Sequence, residues 1–215
     1  MADQRGECGF TNCRLVIFEG YDGAGKSSLI TTVSDSLRAQ PIRIVGRKTE
    51  PNLIPISSAI ENESGQLRPD AEILLRFALE TARQEIVRQT ASSGSLIMLD
   101  RATPSLLAWI DYYGLQWSHY EALARLQLDF YRNALLVICL ADFETCWSRI
   151  ESKEIHSKKE RLGREINRRY YDLYMANLNR YAVEFQQVVS VDCVGQSLSD
   201  SAAQIKREVE SRCLS

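Results

Sequence analysis

Arg14-Leu15-Val16-Ile17-Phe18-Glu19-Gly20-Tyr21-Asp22-Gly23-Ala24-Gly25-Lys26-Ser27-Ser28 begins as a short apolar run, ends that run at a glycine, and passes at once into a Gly-x-x-x-x-Gly-Lys-Ser pattern. The β-branched and aromatic residues show no polar alternation, which predicts a strand over 14–19 buried on both faces. From Lys26 to about Arg38, Leu29, Ile30, Val33 and Leu37 recur at helical spacing, and Pro41 forbids continuation. A glycine-rich turn between a strand and a helix can wrap backbone N–H groups around phosphate oxygens, and the helix dipole favours the same anion. In that setting residues Gly20, Tyr21, Asp22, Gly23, Ala24, Gly25, Lys26, Ser27 and Ser28 form a triphosphate cradle. Lys26 reaches the outer phosphates and the Ser27 hydroxyl joins the shell of a magnesium ion. The competing reading, a solvated lysine in a chance glycine turn, does not account for the full pattern in its required context.

Outward from this loop, strands and helices alternate. Ile42 to Val45 reads as a second strand, followed by a polar loop through Arg47, Lys48, Thr49, Glu50 and Pro51. Arg68-Pro69-Asp70 reads as a helix start with Asp70 as N-cap, the helix running to about Thr90 with Leu74, Phe77, Ala78 and Thr81 on one face. Further strands are expected over 95–99, 135–140 and 188–191. Helices are expected through Trp109, through Leu126, from an Asp142 cap to Ile150, and from the charged stretch 151–164 to about Phe185. A last helix follows the capping box Ser197-Leu198-Ser199-Asp200. This order predicts an α/β chain with the three-layer P-loop NTPase fold: a five-stranded parallel sheet, helices on both faces and a helical lid. Ligands then bind beyond the carboxyl ends of the strands. The expected organisation is one domain over 1–215, with 1–13 a flexible N-terminal extension and the lid at about 151–169.

Composition narrows the possibilities without choosing among enzymes. The 215 residues are 45% hydrophobic and 25% charged, ordinary for a globular chain. Lys+Arg 26 against Asp+Glu 28 gives a net charge of −2, so there is no whole-protein attraction to nucleic acid or to a membrane surface. Charges interrupt every apolar segment and the first residues lack a signal-peptide pattern, so a cytoplasmic location is expected. The six cysteines, Cys8, Cys13, Cys139, Cys146, Cys193 and Cys213, form no Cys-x-x-Cys pair and read as reduced thiols.

Several motifs together resemble the thymidylate kinase family, a branch of the nucleoside monophosphate kinases, over nearly the whole chain. Phe18 to Ser28 is similar to the family's phosphate loop, whose acidic residue at the position of Asp22 lies close to the acceptor phosphate. Asp100-Arg101, closing with Ser105, resembles the family's Asp-Arg-Tyr-x-x-Ser signature. The resemblance implies that Arg101 clamps the acceptor monophosphate and that Asp100 helps organise magnesium and water. Such a clamp is sensible, because a guanidinium holds two phosphate oxygens and damps their repulsion of the incoming phosphoryl group. Thr49-Glu50-Pro51 resembles an Arg-Glu-Pro loop, which puts Glu50 near the acceptor or its magnesium. Leu74 to Glu80 resembles a helix whose aromatic, at Phe77, stacks on the acceptor base, although an aromatic at that spacing also suits a core. The charged stretch from Lys153 to Arg169 falls where the family keeps its lid, and Arg161 and Arg164 are the candidate lid cations.

The resemblance implies ATP and magnesium as cofactors, Ser27, Asp22 and Asp100 around the metal, and Lys26, Asp22, Arg101, Asp100, Arg161 and Arg164 as catalytic groups. It places Glu50, Phe77, Thr81, Arg101 and Ser105 on the acceptor side, and it favours a homodimer. Departures cluster on that side. Thr81 stands where the family's base-reading arginine is expected, Ala102 replaces the tyrosine of Asp-Arg-Tyr, Trp109-Ile110 replaces a Tyr-Gln pair, and Thr49 replaces the arginine of Arg-Glu-Pro, with Arg47 or Lys48 as substitutes. The expected activity is transfer of the γ-phosphoryl group of ATP to a nucleoside monophosphate. Two other readings are a kinase for a nucleoside or other small metabolite, with Asp22, Glu50 or Asp100 as base, and a nucleotide-dependent switch or binding module.

Overall fold

The computed structural model describes residues 14–63 and 67–214, so the expected N-terminal extension lies outside the described residues. β1 (Leu15–Glu19) runs down the middle of a five-stranded, all-parallel sheet of order β2-β3-β1-β4-β5, with β2 (Ile42–Val45), β3 (Leu96–Asp100), β4 (Leu135–Leu140) and β5 (Gln187–Asp192). Val16, Ile17, Phe18 and Glu19 of β1 are wholly buried, which is the reason for the unbroken apolar run. The chain leaves β1 towards β2 and β3 on one side and reaches β4 and β5 on the other. The crevice at the carboxyl ends of β1, β3 and β4 is therefore the switch point of the sheet.

On one face, α1 (Lys26–Ser36) and α8 (Leu198–Cys213) pack on each other, α1 against β1 and β3 and α8 against β4 and β5. On the other, α3 (Pro69–Ala91) lies on β2 and β3, and α4 (Thr103–Tyr112), α5 (Glu121–Tyr131) and α7 (Arg164–Ala182) extend the layer. α6 (Phe143–Glu151) packs on α7. The expected caps hold at two places: Asp142 accepts from the Thr145 N–H at 2.8 Å, and Ser197 accepts from the Asp200 N–H at 3.1 Å.

Two elements differ from the sequence reading. α2 (Ile54–Glu63) lies beyond the expected polar loop of 47–51, in a stretch for which no element was expected; it closes a small second cluster in which Leu53 and Ile60 meet Leu79 of α3. Asp70 is not the cap of α3, because Arg68 holds that position and Pro69 takes the first helical place that proline favours. Asp70 lies in the first turn, where its charge suits the helix dipole, and accepts from the Tyr120 hydroxyl at 3.1 Å. The buried side of α3 also carries more charge than periodicity suggests, since Glu72, Glu80 and Arg83 are all inside.

Candidate active site

Strand register brings the two best motifs together. Phe18 is opposite Asp100, so the start of the glycine loop and the end of β3 lie side by side. Arg101 then donates its backbone N–H to Phe18 O at 2.9 Å and takes φ 68°, the left-handed region that a non-glycine residue rarely adopts. The buried Arg83 holds that turn by donating to Arg101 O at 2.6 Å while its other arm meets Glu80 at 3.1 Å. Tyr131 donates to the second oxygen of Glu80 at 2.6 Å, completing a buried support beneath the turn.

The loop itself is fastened from several sides. Gly20 takes φ 155°, and a Cβ there would stand 2.6 Å from Cys139 O; Gly23 takes φ 82°, and a Cβ there would stand 2.4 Å from Cys146 O. Only hydrogen fits at either place. The Gly20 N–H donates to the Tyr174 hydroxyl at 2.8 Å, which in turn donates to the buried Glu19 carboxylate at 2.5 Å. The other oxygen of Glu19 accepts from the Ala102 N–H at 2.7 Å. Burial raises the Glu19 pKa despite Arg101 and these bonds. Lys26 is buried and donates to Gly20 O at 2.8 Å and Tyr21 O at 2.9 Å; burial, with Arg101 nearby, lowers its pKa to about 8.

Asp22 is the junction of the site. One of its oxygens accepts from Arg101 at 2.5 Å and the other from Lys159 at 2.6 Å. Burial alone would raise its pKa, but Lys159 and Arg101 hold the carboxyl well below its ordinary value. Lys159 comes from the segment between α6 and α7. Its ammonium lies 4.1 Å from the ring centre of Tyr21 and 4.5 Å from that of Tyr170. Asn167 of α7 secures the segment by donating to Lys159 O at 2.9 Å and Gly163 O at 2.8 Å, while the Tyr21 hydroxyl donates to Asn167 at 3.0 Å.

The other anticipated residues fall into groups. Asp100 and Ser105 lie beside Arg101; one Asp100 oxygen is buried without a partner, and Ser105 donates to Ala102 O at 2.9 Å. Ser27 and Ser28 are exposed at the mouth of the loop. Glu50 is tied to Arg43 at 2.9 Å. Phe77 is 3% exposed and stacks on Tyr120 within the core. Thr81 is on the exposed side of α3, where its hydroxyl donates to Phe77 O at 3.0 Å. Arg161 donates to His156 O at 3.1 Å, and Arg164 pairs with Glu144 at 2.5 Å, so neither meets Asp22.

The structure adds Glu72, Arg76, Tyr113 and Tyr170, which the sequence reading did not single out, and joins them to Trp109 and Arg47, which it named only as departures or substitutes. Arg76 of α3 pairs with Glu72 and lies 4.3 Å over the Trp109 ring, Glu72 accepts from the Tyr113 hydroxyl at 2.8 Å, and Trp109 packs on Tyr170 at 4.5 Å. An aromatic wall thus runs from Tyr21 through Tyr170 to Trp109. Arg47 has no hydrogen bond or ion pair among the described residues; burial lowers its pKa, and Arg101, Arg83 and Arg76 add to the effect. Glu72, Arg76 and Arg83 share one face of α3 by their i, i+4, i+11 spacing, a signal readable in sequence, whereas Phe77 and Thr81 lie roughly 100° or more around the helix from Arg76 and Arg83.

The residues present suit a magnesium ion better than a cage-bound metal. Among the described residues no group of three His, Cys, Asp or Glu side chains is placed to hold a metal. Asp100 offers a partnerless buried oxygen and Ser27 an exposed hydroxyl. Magnesium characteristically uses such sparse protein ligation, completed by phosphate oxygens and water. No helix among the described residues is long and apolar enough to cross a membrane.

The family profile described as thymidylate kinase matches residues 18–192. The chain is 27% identical over 216 residues to a thymidylate kinase of Magnetococcus marinus, covering 93% of this chain and 96% of that protein. It is 31% identical over 101 residues to a thymidylate kinase of Pseudomonas fluorescens (strain SBW25), covering 44% of this chain and 48% of that protein. Another, from Pelodictyon phaeoclathratiforme, is 36% identical over 104 residues, covering 46% of this chain and 47% of that protein. In these last two the match spans about half the relative's length.

Proposed function

Because this chain belongs to the thymidylate kinase family, we propose that it transfers the γ-phosphoryl group of ATP to the phosphate of a nucleoside monophosphate, with a thymidylate-like acceptor. The observation that carries the reading is the Asp22 junction, where loop, β3 turn and the α6–α7 segment meet through Arg101 and Lys159. The backbone of Gly20 to Lys26 cradles the donor, and Lys26 turns from Gly20 O and Tyr21 O to the outer phosphates. Ser27 and Asp100 would hold magnesium, which when bound would neutralise charge on the donor phosphates. Arg101, with Arg47 beside it, holds the acceptor phosphate.

An acceptor phosphate is already ionised, so no general base is required. This agrees with Asp22, whose depressed pKa makes it a poor base. Asp22 instead positions the two cations. The segment 152–163 acts as the lid, and Lys159 is the cation it presents to the transferring group, in place of Arg161 or Arg164. Trp109, Arg76 and Tyr113 form the wall that receives the rest of the acceptor. Exposed Leu74 of α3 and Leu123 and Leu126 of α5 give an apolar face suited to a homodimer.

The test is ATP consumption with magnesium against thymidine monophosphate, the other nucleoside monophosphates and free nucleosides, with Lys26→Ala and Arg101→Ala alongside. Thymidine monophosphate should raise turnover most, and both variants should lose that response. If no monophosphate raises turnover above the Arg101→Ala background, the proposal fails.

A further inference from the structure

Lys159 is gripped at both ends by two neighbouring residues of the phosphate loop. At its head, the ammonium donates to Asp22 at 2.6 Å and lies 4.1 Å from the centre of the Tyr21 ring. At its backbone, Lys159 O accepts from Asn167 Nδ2 at 2.9 Å. Asn167 in turn accepts from the Tyr21 hydroxyl, which lies 3.0 Å from its side-chain oxygen and 3.0 Å from its carbonyl. Tyr21 and Asp22 therefore close a ring of contacts through Asn167 and Lys159, although Tyr21 and Asn167 are 146 positions apart.

Asn167 stands on α7, and Lys159 belongs to the segment before it. The Asn167 side chain is buried and its amide fully used: Nδ2 donates to Lys159 O and, at 2.8 Å, to Gly163 O, while Oδ1 accepts from Tyr21. Burial raises the Tyr21 pKa, so the hydroxyl keeps the proton it donates. The simpler account is a buried amide that satisfies carbonyls left over from the preceding turn. It accounts for Gly163 O, four residues back. It does not account for Lys159 O, eight residues back, nor for a partner drawn from the phosphate loop.

We propose that Asn167 is a positioning residue for phosphoryl transfer: it holds the main chain of Lys159 so that the ammonium stays over the loop, with the Tyr21 hydroxyl as the loop's half of the brace. This rests on the reading of Lys159 as the cation presented to the transferring group. Asn167 is buried, so it acts through Lys159 and not on a substrate. A lysine carries its charge on a flexible four-carbon stem, and the stem's origin must be fixed before its end can be placed. With the Asn167 amide gone, Asp22 still attracts the ammonium but the backbone beneath it is free to shift. A misplacement of about 1 Å is enough to slow a reaction that depends on where charge is held.

The test is a double-mutant cycle in kcat, with hydrogen exchange of the full chain as a second readout that needs no turnover. Asn167→Ala should lower kcat about tenfold while the KM for ATP stays near its original value. In a Lys159→Met background the same change should cost less than about twofold, because the residue it positions is gone. Tyr21→Phe keeps the ring beneath the ammonium and loses only the hydroxyl; it should lower kcat by a smaller factor, and it is the variant safest for folding. The Arg161 and Leu162 amides, bonded to Ser157 O and Lys159 O, should exchange about tenfold faster in Asn167→Ala, and faster in Tyr21→Phe, with those of β4 unchanged. Unchanged kcat in Asn167→Ala, or an equal further loss in the Lys159→Met background, overturns the proposal. So does equal exchange at Arg161 and Leu162 in the unaltered chain and both variants. If no monophosphate stimulates the unaltered chain, the transfer reading has failed, and exchange still decides whether Asn167 holds the segment.

Discussion

The Lys159 ammonium stands 2.6 Å from Asp22, so the segment between α6 and α7 is joined to the phosphate loop by an ion pair whose lysine is almost buried. Of the cations in and just after this segment, Lys159 reaches Asp22, whereas Arg161 bonds His156 O and Arg164 pairs with Glu144. Lys159→Met should lower kcat about 10²- to 10³-fold, the usual effect of removing one charge that stabilises a transition state. Arg161→Ala and Arg164→Ala should stay within about threefold, since each is engaged elsewhere. Steady-state kinetics decide it, and a dead Arg161→Ala beside an active Lys159→Met would sink the assignment.

Lys26 gives a pH prediction with a definite sign. Its pKa in the folded protein is about 8, below its ordinary 10.5, so the unfolded chain binds more protons between those values. The contribution of Lys26 to stability therefore rises with pH from about 8 to 10.5, and Lys26→Met should abolish that part of the slope in chemical denaturation. Phosphate binding favours the ammonium, so ATP binding near pH 8 to 9 should take up a proton. Calorimetry in buffers of different ionisation enthalpy would detect it; no uptake, or uptake retained in Lys26→Met, contradicts the role given to this residue.

Glycine replacement separates fit from strain. Gly23→Ala forces a Cβ to 2.4 Å from Cys146 O at φ 82°, whereas Gly114→Ala at φ 65° meets nothing within 4 Å. Gly114→Ala should cost about 1–2 kcal/mol, the left-handed penalty alone. Gly23→Ala should cost more and lose ATP binding, as measured by thermal melting with and without ATP. Equal melting shifts would refute the close-packing account.

On the acceptor side, Arg76 should carry the acceptor contact that sequence resemblance gives to Phe77. Phe77→Ala should destabilise by about 3–5 kcal/mol as a core truncation, with little change in acceptor KM for the protein that remains folded. Arg76→Ala should raise acceptor KM about tenfold or more while leaving the KM for ATP near its original value. Acceptor KM unchanged in Arg76→Ala would remove the aromatic wall from the site.

The order of elements and the loop were legible because each rests on local pattern: an apolar run, a glycine spacing, a helical period. Asp100-Arg101 was legible for the same reason, and the register Phe18 to Asp100 explains why it belongs beside the loop. α2 was hidden because Pro51 and Pro55 bracket its start and its apolar residues answer to Leu79, a contact distant in sequence. The charged interior of α3 was hidden for a deeper reason. Arg83 and Glu80 look like solvent-facing residues until Tyr131 and the carbonyl of Arg101, from other elements, satisfy them. Lys159 stood among many charges, and only the fold shows which of them turns inward.

The Tyr174 hydroxyl, which bonds both Gly20 and Glu19, makes the middle of α7 one piece with the floor of the loop. Any swing of the segment bearing Lys159 must then be absorbed before that point, near Gly163, whose φ of 89° marks a natural pivot. If the segment closes over the donor as proposed, the part that moves is a strap of about a dozen residues on a fixed post, not a domain, and substrate exchange needs little of the packed core to be disturbed.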